Sequence, residues 1–375
     1  MENILNVGNR AAPGQYIRAE LERRGWTQED LAKIMNKPLP TINRIIQGKH
    51  SIVPETAVAL GIAFGTDAEI WLNRQSAYEL TKIEHSYPDV ERRAVVYQRA
   101  PVKDMVKRGW IRKTNSIDEL EKELSKFFEV ESLATELELA AAARSSLHSP
   151  VLSPAQRAWC YRAKHLAKSV AAAKFDQSNF EDGISEIRKL AAFPEQIKEL
   201  PRFLSGLGVR LVIVEHLPQS KIDGATLWID DRSPVIALSV RYDRIDCFWH
   251  TLCHECAHIK YRDKFSLDDE LVGEVRNQGL SYNEIEARAE VEAASLLIPE
   301  KELKSFVLRQ KPIYAKSRII QFAHRIKIHP GIITGQLQHL RELTWDTNRE
   351  MLVKIRQLIT SVALTDGWGV ALPAN

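Results

Sequence analysis

Along the first 80 positions, apolar residues recur at helical spacing in short runs separated by turn residues. Residues 13–24 carry Tyr16, Ile17 and Leu21 and end at Gly25, the residue that most readily leaves a helix. Thr27 opens Gln28-Glu29-Asp30, an N-cap with acidic groups in the first turn, and leads into residues 31–35. Asn36-Lys37-Pro38 breaks that helix, and residues 40–47 make another before Gly48. Helix, tight turn, helix is the outline of a helix-turn-helix. Between residues 81 and 200 the helical pattern continues over 118–128, 133–144 and 154–174, with a Ser- and Pro-containing loop expected over 145–154. The aromatics there, Trp110, Phe127, Phe128, Trp159 and Tyr161, are expected in a core. Near Leu207 the period changes. Residues 208–215, 224–230 and 234–240 are short, β-branched and bounded by Gly or Pro, which predicts three strands, the last two joined as a hairpin through 230–233.

A chain of 375 residues with 44% hydrophobic content has room for two or three packed domains. The pattern divides it into 1–80, a helical connector over 81–200, a domain over 201–345 with a short β-sheet, and a tail over 346–375. The fold class is mainly α with a small α+β domain. A net charge of +3 does not by itself imply nucleic acid. Local clustering does. Between Leu31 and Pro54, Lys33, Lys37, Arg44, Lys49 and His50 occur with no acidic residue among them, the footprint of phosphate contact. Four cysteines, no signal-peptide pattern and no long uncharged apolar run fit a cytoplasmic protein without a membrane span.

The chemistry concentrates in residues 247–261, which contain His254-Glu255-Cys256-Ala257-His258, a complete HExxH. On a helix, residues four apart share a face, so the two imidazoles can converge on one metal ion while Glu255 reaches the water beside it. Zinc held by three protein ligands keeps a position for water, lowers that water's pKa to about 7 and polarises a carbonyl. Glu255 would take and return the proton. The flanking Phe248, Trp249, Leu252 and Ile259 make the helix largely apolar, and buried histidines are costly unless they ligate or pair. Cys253-x-x-Cys256 has no second cysteine pair to complete a thiolate site and reads as two small buried hydrophobes. His250, four residues before His254, is a candidate beside the metal or in the substrate pocket. For the third ligand, helical spacing puts Glu286 and Glu290 on one face with Ala289, Ala293 and Leu297, and spacing alone does not choose between them.

Two resemblances add to this reading. Residues 13–78, with Gly25-Trp-Thr-Gln-Glu-Asp-Leu-Ala32, Thr41-Ile-Asn-Arg-Ile-Ile-Gln-Gly-Lys49 and Pro54-Glu-Thr-Ala57, resemble the HigA-type antitoxins of the XRE helix-turn-helix family, five-helix domains of the λ-repressor kind. The resemblance implies a homodimer on operator DNA, with Gln28 on phosphate, and Thr41, Asn43 and Arg44 facing the major groove. Leu39 and Pro40 stand where such repressors often place base-reading amides, so direct readout is expected to be sparse.

Residues 205–340 resemble the ImmA/IrrE metallopeptidases, in which the glutamate leading a Glu-x-x-Ala-x-x-x-Ala-x-x-Leu-Leu-x-Pro element ligates zinc. Here that glutamate is Glu286. The resemblance implies a zincin-like domain, with Glu290 and Glu292 departing from the usual residues. Two functions remain open: a DNA-binding regulator whose zinc peptidase cleaves a protein partner, repressor or toxin, and an antitoxin and autorepressor whose peptidase-like domain only binds or senses.

Overall fold

A computed structural model describes residues 11–82, 87–131, 152–263 and 282–369. The helix expected over 133–144 and most of the loop expected over 145–154 lie outside the described residues. The chain forms two compact units, residues 1–88 and 89–375. Mainly helical, it carries one four-stranded sheet.

The first unit has five helices: α1 (Pro13–Arg24), α2 (Gln28–Ile34), α3 (Leu39–Ile46), α4 (Pro54–Phe64) and α5 (Ala68–Lys82). Local chemistry sets their ends. Gly25 closes α1 in the left-handed region. At α2, Asp30 N–H donates to Thr27 Oγ1 (3.1 Å) and Thr27 N–H donates to Asp30 Oδ2 (2.8 Å), a reciprocal capping box. Ile17, Leu31, Ile42, Leu60 and Trp71 fill the core between them.

In the second unit, α6 (Pro88–Arg99), α7 (Val102–Lys107), α8 (Ile117–Phe127) and α9 (Pro154–Ala167) come first. After α10 (Gln177–Ile184), two 3-10 turns and α11 (Leu200–Gly206) come the strands β1 (Arg210–Val214), β2 (Gly224–Trp228) and β3 (Pro234–Leu238). The HExxH helix α12 (Ile245–Lys260) follows, then α13 (Tyr282–Leu297), α14 (Glu300–Gln310), α15 (Lys316–Ile326), α16 (Pro330–His339), α17 (Arg356–Thr360) and β4 (Leu364–Asp366). The sheet order is β2-β3-β1-β4; β1 runs parallel to β3 and β4, and β2 antiparallel to β3. The expected hairpin is present, closed by Ile229 N–H donating to Ser233 O (3.0 Å).

Both faces of the sheet are covered, which is why its strands read as near-continuous apolar runs. Leu211, Ile213, Ile236 and Leu238 face a core shared with α12 and the later helices. Val212, Val214, Val235 and Ala237 face a second core with Trp110, Phe128, Trp159 and Tyr161. The connector and the sheet therefore share one interior. The tail joins them: β4 pairs with β1, and its buried Asp366 accepts from Trp110 Nε1 (3.0 Å) and from Arg162. The three segments separated in sequence after residue 80 lie within this one unit.

Candidate metal centre and helix-turn-helix surface

The HExxH helix is seated by its apolar residues. Trp249, Leu252, Cys253 and Ile259 are fully buried. Burial pushes the Cys253 and Cys256 thiols well above their ordinary range, as inert interior groups require. At the helix start Arg244 holds the buried Asp246 through two bonds (3.1 and 2.7 Å), and a Cβ on Gly335 of α16 would lie 2.2 Å from Asp246 Oδ2. Only glycine lets α16 come that close.

Across α12 lies α13, whose Ile285, Ala289 and Ala293 are completely buried. Two alanines on the contact face bring the helices near enough for Glu286 and Glu290 to meet the histidine face. His254 Nε2 is 3.0 Å from His258 Nε2 and 3.2 Å from Glu286 Oε2, and His258 Nε2 is 3.6 Å from Glu286 Oε1. Donors of a tetrahedral zinc with bonds near 2.1 Å stand about 3.4 Å apart, so this triangle fits such an ion. His254, His258 and Glu286 are the one group of three or more such donors among the described residues that meets on a common point. Spacing left Glu286 and Glu290 equal; the geometry separates them, because Glu290 reaches His254 only at Nδ1 (3.6 Å).

The surroundings support the same donors. His258 Nδ1 lies 3.0 Å from Asp263 Oδ2, and Arg288 donates to Asp263 Oδ1 (2.7 Å). A carboxylate on the far nitrogen of a ligating histidine fixes its tautomer and raises its basicity. Glu290 plays the corresponding part for His254, and its Oε1 is 3.1 Å from His250 Nε2 and 3.6 Å from His339 Nε2. Burial alone would lower the His254 pKa, but the Glu286 and Glu290 carboxylates outweigh it and push the imidazole up to about 10. Burial resists ionisation of Glu286, yet His254 and His258 hold its carboxyl below the ordinary range. Negative charge in excess around two imidazoles suits a divalent cation.

Glu255 is buried, and burial pushes its carboxyl above the ordinary range against the opposing pull of His258 and His254. Thr226 of β2 donates from Oγ1 to Glu255 Oε2 (2.8 Å). A Cβ on Gly224 would lie 2.9 Å from Glu255 Oε1, so β2 passes as close as its backbone allows. The triad and Glu255 open onto a cleft of about 380 Å³.

Thr226, Asp263 and Arg288 escaped the sequence reading. Asp263 carried a faint signal, an acid five residues past His258 in reach of its far nitrogen; Thr226 carried none, since only the fold brings β2 to α12.

On the first unit, Gln28, Arg44 and Lys49 are exposed, whereas Thr41 and Asn43 are half-buried. Pro40 and Arg44 form the outward stripe of α3, continued by Gln47 at its C-cap. Asn43 turns toward the interior, with its Oδ1 buried and unpaired among the described residues. Lys37 is taken up by Glu55 (3.0 Å).

A helix-turn-helix family profile matches residues 17–71. The chain is 30% identical over 88 residues to the uncharacterised HTH-type transcriptional regulator YddM of Escherichia coli (strain K12), spanning 24% of this chain and 93% of that protein. It is 38% identical over 73 residues to virulence-associated protein I of Dichelobacter nodosus, 19% of this chain and 68% of that one. Among solved structures it is similar to the Pseudomonas aeruginosa antitoxin HigA with higBA promoter, at 32% identity and a TM-score of 0.19, covering 20% of this chain and 80% of that one. No described helix is long and apolar enough to cross a membrane.

Proposed function

The chain belongs to the helix-turn-helix family, and from that premise we propose a DNA-binding transcriptional regulator of the HigA antitoxin kind whose second unit is a zinc-dependent peptidase acting on a protein partner. On the DNA side, Arg44, Lys49 and Gln28 would contact operator phosphates and groove edges, two copies reading two half-sites. On the peptidase side, the observation that carries the reading is the triangle of His254, His258 and Glu286 with Glu255 beside it. These three would hold the zinc, which when bound supplies Lewis acidity toward a water and a peptide carbonyl. Glu255, oriented by the Thr226 hydroxyl, takes the proton from the attacking water and delivers it to the leaving amine. Asp263 keeps His258 in the tautomer that presents Nε2. The free edge of β2 runs along the same cleft and offers main-chain groups to an extended polypeptide.

The test is Glu255→Gln, co-expressed with the protein encoded beside the gene. Zinc content should stay at the wild-type level while cleavage of that partner stops. Cleavage that continues undiminished removes the mechanism, and a wild-type chain that holds zinc but cleaves nothing supports the binding-only antitoxin instead.

A further inference from the structure

The cleft does not end at the metal-binding helix. Its lining continues around the edge of β2 to Leu152, Gln156 and Cys160, the last two four apart on one face of α9 and the first just before that helix begins. β2 is the terminal strand of the sheet, and its alternation assigns a side to each residue. Gly224 and Thr226 face α12: the Thr226 hydroxyl meets Glu255, and a Cβ on Gly224 would too. Ala225 and Leu227 point the other way, into the core that includes Cys160 and Ile222. The cleft therefore wraps the edge strand and has a polar, metal-bearing side and an apolar side.

A polypeptide laid on that edge as an added strand must alternate in the same manner, one side chain toward α12 and the next toward α9. On the α9 side it meets the apolar Leu152, Cys160, Ile222 and Leu227 and the amide of Gln156, while Lys221 and Asp223, the latter paired with Arg241, also line the cleft on either side of Ile222 in the chain. We propose that this wall is a side-chain pocket that selects polypeptides with an apolar residue of leucine size at alternate positions next to the scissile bond, and rejects acidic ones. The inference rests on the peptidase reading, since the zinc fixes where the bond to be cut lies. It gives α9, a helix without catalytic groups of its own, the task of reading the substrate.

A ladder of short peptide hydroxamates tests it, because the hydroxamate chelates the zinc and needs no turnover. Leucine or aspartate is placed at each successive position, and affinity for the zinc-loaded full chain is measured by calorimetry. One alternate set of positions should prefer leucine by about 10- to 100-fold, the discrimination a hydrophobic pocket delivers. In Cys160→Trp, which fills the pocket, that leucine-to-aspartate ratio should drop at least tenfold. Because Cys160 is buried and a larger ring can disturb the core, Leu152→Asp at the half-buried rim is the second variant, and it should lower the ratio likewise. Equal affinity for leucine and aspartate at every position, or a ratio unmoved in both variants, overturns the pocket while leaving the metal centre standing. Failure of acetohydroxamate itself to bind the zinc-treated chain removes the peptidase reading, and the pocket with it.

Discussion

The two units keep their charge in different places. In the helix-turn-helix unit the core is apolar, Thr56 is the one buried polar residue among those described, and Arg44 and Lys49 stand in solvent. In the second unit Arg162, Asp246, Glu255, His258, Asp263 and Asp366 are all buried. A surface that meets phosphate works best hydrated and needs only position. Charges withdrawn from water, as in the second unit, each need a partner to offset their desolvation. The second unit thus carries liabilities that the first does not, and perturbations should separate them.

The largest separation should come from the metal. Zinc at about a thousand times its Kd stabilises a folded site by about 4 kcal/mol. In a calorimetric scan it should raise the transition of the second unit and leave that of the first in place. Glu286→Ala should lose most of the shift; a variant that keeps it would show the ligand assignment to be wrong.

Next comes the interior ion pair. Arg162→Met leaves Asp366 buried with the Trp110 indole still donating to it, and removing one partner of a buried pair costs about 3–5 kcal/mol. Urea unfolding of the second unit should shift by that amount, and an unchanged midpoint would mean that the pair contributes nothing.

Acid should act on the same unit. Burial, foremost, holds the His165 imidazole down at about 4, against an ordinary 6.5. The unfolded chain takes up that proton near pH 6.5 and the folded one only near 4, so stability falls as pH drops through this window, by roughly 3 kcal/mol in total for this group. Stability measured from pH 7 to 4 should decline less steeply in His165→Gln than in the wild type. Parallel profiles would show that His165 is not the group responsible.

The smallest effect is expected from Arg44→Ala, which should leave stability within about 0.5 kcal/mol. Its consequence is for DNA: weaker operator binding and a salt dependence reduced by about one unit of slope. A slope that does not change would take Arg44 off the phosphate.

What could be read along the chain follows the same division. Caps, a turn and a helical period are local, so Thr27, Gly25 and the boundaries of α2 and α3 were legible to within a residue or two. His254 and His258 were legible because four-residue spacing is itself a geometric statement. Residues whose role depends on a distant partner were not. Thr226 is one hydroxyl among many until β2 is laid against α12, and Gln156 and Cys160 belong to a helix that carries no catalytic group. Asn43 and Arg44 show how neighbours on one helix differ: the Asn43 side-chain oxygen is buried, while Arg44 is exposed.

Strand β4 has a bearing on timing. The sheet whose edge lines the cleft obtains its last strand from residues 364–366, and those residues also bring the carboxylate that Trp110 and Arg162 clasp. During synthesis, the helix-turn-helix unit can finish folding while the ribosome is still far from that point, whereas the second unit stays incomplete until Asp366 has emerged. A nascent chain thus completes its helix-turn-helix unit well before the sheet beside the His254, His258 and Glu286 cluster has its last strand.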